Sequence, residues 1–135
     1  PLTLKSNADK YKDWEDLNNA DVRVAATLGT TQEKQVKQYF PDAKHVIVEA
    51  PAQPFQQVLS GRADAHITSN VEANKLVAIH SDLMIVPVSA PKSPTPIAML
   101  LPQADQVWIN YVNTWIKLKQ ERGFFKELDD KWKLN

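Results

Sequence analysis

The stretch Leu28-Gly29-Thr30-Thr31-Gln32-Glu33 constrains this chain more than any other. Before it, Val22-Arg23-Val24-Ala25-Ala26 is a run of small and β-branched residues, which reads as a buried strand. After it, Gln32 to Phe40 has helical spacing, and Thr followed by Gln and Glu is the signature of a capped helix start. The junction is a turn from strand through loop to helix. The first N–H groups of such a helix have no partner within it and carry the positive end of its dipole. Gly29 lets a ligand come close to the backbone, so the N–H groups of Thr30 and Thr31, with the Thr31 hydroxyl, form a cradle for a carboxylate. The same turn also fits an ordinary helix cap, since loops of this kind commonly end in Ser or Thr.

Composition narrows the partners. The 135 residues are 43% hydrophobic with four Trp, enough for one domain with a real core. Sixteen basic and sixteen acidic residues cancel, which gives no electrostatic case for nucleic acid or an anionic membrane and favours a small partner. With no cysteine there are no disulfides, thiolate chemistry or Cys-based metal sites. His45, His66 and His80 are isolated, with no second ligand at metal-binding spacing, and no cofactor is called for. The start at Pro1 without Met suggests a processed product or a piece of a longer protein.

Along the chain, Pro1 to Lys5 is short and extended, and Ala8 to Leu17 is a polar, partly helical approach. Strand and helix then alternate. The helix from Gln32 closes at Phe40-Pro41-Asp42, where proline forces the residue before it out of helical geometry. His45–Glu49 is a second strand, Phe55–Ser60 a short helix stopped by Gly61, and Ala63–Thr68 a third strand. A helix from Asn70 to about His80 and a strand Leu83–Val88 follow, closed by prolines 87, 91, 94 and 96. This order predicts a mainly parallel α/β sheet flanked by helices. Ile97–Leu101 reads as a short apolar strand, and two helices split at Gly123 complete the chain. The stripe Trp108, Val112, Trp115, Ile116 on the first and Phe124, Phe125, Leu128, Trp132 on the second is packing surface.

Three blocks carry a family resemblance: Val22 to Glu33 with its Leu-Gly-Thr-Thr-Gln-Glu core, Leu59-Ser60-Gly61-Arg62-Ala63-Asp64-Ala65, and Gly123 to Trp132. In this order and spacing they resemble type II periplasmic solute-binding proteins of the polar amino-acid class. That family closes two lobes on a ligand, and the resemblance implies that residues 1–101 are the second lobe with its hinge crossings. Residues 102–135 are then C-terminal helices that pack on a first lobe absent from this chain. It also implies a periplasmic or extracytoplasmic location. Thr31 matches the position that holds a ligand's α-carboxylate. Ser69 stands where amino-acid binders place an Asp for the α-ammonium, and a neutral hydroxyl cannot supply that charge-assisted contact. A keto acid, dicarboxylate or other anion fits better.

Closer still is the resemblance to cyclohexadienyl dehydratases, enzymes on this fold that convert prephenate or arogenate. In Ala63-Asp64-Ala65-His66-Ile67-Thr68-Ser69-Asn70-Val71-Glu72-Ala73, Glu72 falls where that family keeps its general acid. Thr27 stands where the dehydratases carry Asn, and Ser69 where they carry Asp. The resemblance thus points to Glu72 as the catalytic candidate and to Thr27, Gly29, Thr30, Thr31 and Ser69 as ligand contacts. An acid in a helix's first turn is also favoured by the dipole alone, and Lys75 three residues on makes a plain helical ion pair with it. His66 lies near the C-terminal end of its strand, where ligands of open α/β sheets bind.

Two function classes stand side by side: a carbon-oxygen lyase acting on prephenate-like acids, and a non-catalytic binding or sensing module for a small anion. The second would take a transporter permease as partner if the protein serves transport. The aromatic stripe of the last helices, uncovered without a first lobe, predicts self-association of this chain, with Ser89–Pro96 as the hinge.

Overall fold

A computed structural model describes residues 1–94 and 98–132. Five short strands form one sheet: β1 (Leu2–Leu4), β2 (Arg23–Thr27), β3 (Lys44–Val48), β4 (Ala65–His66) and β5 (Leu83–Ile85). Their spatial order is β3-β2-β4-β1-β5. The strand β2 pairs in parallel with β3 (Val24 opposite His45) and with β4 (Ala25 opposite His66). In contrast, β1 lies antiparallel between β4 and β5, with Leu2 opposite both His66 and Ile85. The sheet is therefore mixed, with four strands running one way and β1 against them. The extended start of the chain is a central strand, and its three residues are too few to show a period in the sequence.

The apolar run of β2 is explained by burial on both faces. Val24 and Ala26 join Val22, Tyr11, Leu17, Val36, Phe40, Ala65, Ile67 and Val86 in one core. Ala25 points the other way into a second core with Leu2, Val58, Ala63, Ala73, Leu76 and Leu83. Helix α1 (Thr31–Tyr39) supplies Val36 to the first, whereas α2 (Pro54–Leu59) and α3 (Asn70–Ile79) supply Val58, Ala73 and Leu76 to the second. One helix covers one face and two cover the other. Trp14 closes the first core by stacking on Phe40 at 6.0 Å, and its Nε1–H donates to the Ala90 carbonyl at 2.8 Å.

The stop at Gly61 is real: its φ of +70° is the left-handed geometry that glycine adopts without strain. The segment 63–68 contributes a strand only at Ala65–His66, because Ala63 N–H turns back to the Gln57 carbonyl at 2.9 Å.

Contacts divide the chain into two compact units, Pro1–Ala90 and Pro91–Asn135. The second holds α4 (Gln106–Glu121) and α5 (Phe124–Trp132), separated at Gly123 with φ +74°. Trp115 meets Phe124 and Phe125 edge-on at 6.1 and 6.3 Å, as packing surface should. Trp108, on the same stripe, is 45% exposed and stacks at 5.5 Å on Tyr111, itself exposed. Of the apolar stretch 97–101, Ile97 lies outside the described residues, as does Pro96 of the hinge segment. Residues 98–101 form no strand, with Met99 and Leu100 exposed and no neighbouring strand to pair their backbone.

Candidate functional site

Strand order locates the candidate site. From β2 the chain passes through α1 to β3 on one side, and from β4 it passes through α3 toward β5 on the other. Neighbouring parallel strands whose connections diverge leave a crevice at their carboxyl ends, the place where open α/β sheets bind ligands. Here that crevice lies between β2 and β4. Ile67 N–H continues the pairing by donating to the Ala25 carbonyl at 3.1 Å, so the two loops leave the sheet side by side.

The two loops share a design. Each ends in a hydroxyl cap with a glutamate three residues on, Thr30-Thr31-Gln32-Glu33 and Ser69-Asn70-Val71-Glu72. Glu33 N–H donates to Thr30 Oγ1 at 3.3 Å, and Glu72 N–H donates to Ser69 Oγ at 3.2 Å. The two carboxylates are used differently. Glu33 accepts the Gly29 N–H at 2.7 Å through Oε2 and the Lys37 ammonium at 2.6 Å through Oε1. The Lys37 hydrogen bond, with that of the Gly29 N–H, holds the Glu33 carboxyl below its ordinary value. Glu72 instead accepts a hydrogen bond from the Thr68 hydroxyl and is exposed.

At the cradle, Gly29 takes the open turn with φ +75°, and Thr30 Oγ1 donates to the Thr27 carbonyl at 2.6 Å. The Thr30 side chain is thus committed to the turn, and so is the Thr30 N–H expected above as a ligand donor, which donates to the same carbonyl at 3.4 Å. The N–H groups of Thr31 and Gln32 make no hydrogen bond among the described residues, and Thr31 is exposed. These are the donors a carboxylate would meet. Thr27 ends β2 half-buried beside Val48, below the cradle. The structure therefore brings Thr27, Gly29, Thr30 and Thr31 together in one loop, and Ser69 and Glu72 in its neighbour.

His66 sits beneath this edge. It is 4% exposed in β4, and its Nδ1 is buried with no hydrogen-bond partner. Burial pulls the imidazole down to about 4, against a smaller upward pull from Glu72. The other two histidines are structural: the His45 ring nitrogen Nε2 lies 2.8 Å from the Phe40 carbonyl, and the His80 ring lies 5.1 Å from that of Phe55. The helical pair expected between Glu72 and Lys75 does not form; among the described residues the ion pairs are Arg23–Asp64 and Lys37–Glu33. Thr68 already holds the Glu72 carboxylate, leaving Lys75 to solvent.

Sequence reasoning missed Thr68 and the bond from the Gly29 N–H to Glu33. The signals were present, as a Thr four residues before Glu72 and as the Thr-x-x-Glu box with Lys37 at i+4.

No family model matches the chain. It is 26% identical over 132 residues to the cyclohexadienyl dehydratase of Pseudomonas aeruginosa, covering 98% of this chain and 49% of that protein. It superposes on an ancestral cationic amino-acid solute-binding protein with a TM-score of 0.81 at 38% identity, covering 97% of this chain and 56% of that one. An ancestral cyclohexadienyl dehydratase gives a TM-score of 0.65 at 39% identity, with 97% and 54% covered. The chain spans about half the length of the curated relative it matches. Over that span it has the type II solute-binding-protein fold, with a sequence similar to cyclohexadienyl dehydratase.

Proposed function

We propose that this chain is one half of a ligand clamp, taking a small carboxylate on the Thr31 and Gln32 N–H groups, with Glu72 beside it as proton donor. The substrate class is a prephenate-like or arogenate-like acid, dehydrated and decarboxylated in one step. The observation that carries this reading is the divergence of β2 and β4, which sets the free start of α1 next to the loop that holds Glu72. Loss of hydroxide concerted with loss of carbon dioxide needs a proton at the leaving oxygen. A carboxylic acid shielded from water in a closed cleft supplies it. Similarity to cyclohexadienyl dehydratase over 98% of the chain supports the assignment; the setting that goes with it is extracytoplasmic.

A second reading is favoured by Ser69, whose hydroxyl is spent on capping α3. On it the protein binds a small anion or amino acid without chemistry, as an extracytoplasmic binding or sensing module with a transporter permease as partner. Titrating acetate, prephenate and arogenate into labelled protein while following the Thr31 and Gln32 amides, with product assayed in parallel, separates the two. Amide shifts with turnover support the lyase. Shifts without turnover support the binding module, and unmoved amides refute both.

The exposed Val107, Trp108 and Tyr111 on α4 further support self-association of this chain. Sedimentation across a dilution series tests it, with a monomer at every concentration as the contrary result.

A further inference from the structure

The cradle has a competitor built into it. Glu33 sits in the first turn of α1, within one turn of the free Thr31 and Gln32 N–H groups, and a carboxylate there is drawn to the same donors a ligand would use. It is held off them by two contacts, Gly29 N–H at 2.7 Å and Lys37 Nζ at 2.6 Å, and its side chain is only 14% exposed. We propose that Lys37 is a positioning residue for anion binding: by holding Glu33 against Gly29 it keeps an internal carboxylate from occupying the Thr31 and Gln32 N–H groups.

This inference rests on the cradle reading above and goes beyond it, because Lys37 lies nearly two turns along the helix and touches no ligand. A purely structural latch and a latch against competition give opposite signs. If the Glu33–Lys37 contact only stiffened the turn, breaking it from either end would weaken anion binding. If it restrains a competitor, Lys37→Gln weakens binding while Glu33→Gln strengthens it. In Glu33→Gln the side-chain carbonyl still accepts the Gly29 N–H, so the turn keeps its shape while the competing charge is gone.

The test uses acetate and inorganic sulfate as probes, with affinity read from the Thr31 and Gln32 amide shifts of the 135-residue chain. We expect Lys37→Gln to weaken binding about twofold to fivefold and Glu33→Gln to tighten it by a similar factor. The double variant Glu33→Gln/Lys37→Gln returns to wild-type affinity or better, since no competitor remains to be released. Lys34→Gln removes an equal charge that makes no bond to Glu33, and changes affinity less than Lys37→Gln does. Weakening by both single variants, or equal weakening by Lys34→Gln and Lys37→Gln, overturns the proposal while leaving the cradle standing. Wild-type amides that ignore both anions overturn the cradle and the latch together.

Discussion

Arg23 and Asp64 clasp the beginnings of β2 and β4, at the end of the sheet opposite the cradle. The guanidinium meets the carboxylate through Nε–Oδ2 at 2.9 Å and Nη2–Oδ1 at 3.0 Å, and the Arg23 backbone N–H adds a third bond to Oδ2 at 2.8 Å. Asp64 N–H returns a bond to the Arg23 carbonyl at 2.8 Å. The Asp of the Gly-Arg-x-Asp-Ala block is thus a fastener between the two strands that diverge at the site.

Burial pushes the Asp64 carboxyl up, but the Arg23 side chain and N–H together outweigh it and hold it below its ordinary value. A depressed carboxyl contributes stability that is present above the ordinary carboxylate range and is lost as pH falls through the folded value. Asp64→Asn should cost about 1–2 kcal/mol at neutral pH, mostly from the half-buried Arg23 N–H bond rather than the screened ion pair. Its cost should shrink below about pH 4. Urea unfolding of wild type and variant at pH 7 and pH 3.5 checks both statements, and a cost that stays constant across that range contradicts them.

His66 predicts an acid sensitivity of a different kind. With the folded imidazole at about 4 and an unfolded one near its ordinary 6.5, only the unfolded chain takes up the proton between those values. Stability from this group is complete above about pH 6.5 and falls as the pH drops toward 4, by roughly 3 kcal/mol at the limit. His66→Leu should remove this loss. At pH 7.5 it should be neutral or stabilising, since it deletes a buried, unpartnered Nδ1 from a strand position flanked by Leu2 and Ala25. Denaturation midpoints of the two proteins at pH 7.5 and 5.0 report the difference; parallel losses on acidification would place the sensitivity elsewhere.

The alternation of strand and helix was legible because β2, β3, α1 and α3 each carry their own local signal. Val24-Ala25-Ala26 is apolar on both faces, and Thr30 and Ser69 announce their helices by capping. What is not local could not be read. The strand β1 takes its place in the middle of the sheet only because His66 and Ile85 lie on either side of Leu2, 64 and 83 residues away along the chain. The turn at Gly29 was legible as a strand-to-helix junction, but not the division of labour between its hydroxyls, which depends on where the Thr27 carbonyl falls beneath Thr30.

That division of labour makes adjacent threonines separable. Thr30→Ala removes the cap of α1 and the bond to Thr27, and should lower stability by about 1 kcal/mol. Thr31→Ala leaves the cap intact and should instead weaken acetate or sulfate binding by roughly 1 kcal/mol, about fivefold, if the hydroxyl donates. Thermal unfolding and amide-shift titration of both variants give a crossed pattern. A loss of affinity confined to Thr30→Ala would move the ligand to the other side of the turn.

Glu72 gives the prediction on which the choice between chemistry and binding turns. Its backbone N–H is tied to Ser69 and its carboxylate to the Thr68 hydroxyl, so the side chain is oriented from both ends at the crevice edge. Glu72→Gln keeps the length and an acceptor for Thr68 but cannot deliver a proton. If the protein turns over prephenate or arogenate, that change should lower kcat by at least about 100-fold while leaving KM within a few-fold, the pattern of a group used in the transition state. Thr68→Val should lower kcat less, about tenfold, because it frees the carboxyl without removing it. Thr68→Ser, which restores the hydroxyl, should recover most of that loss. Equal activity of Glu72→Gln and wild type would remove Glu72 from the chemistry and leave it as the second turn's counterpart of Glu33.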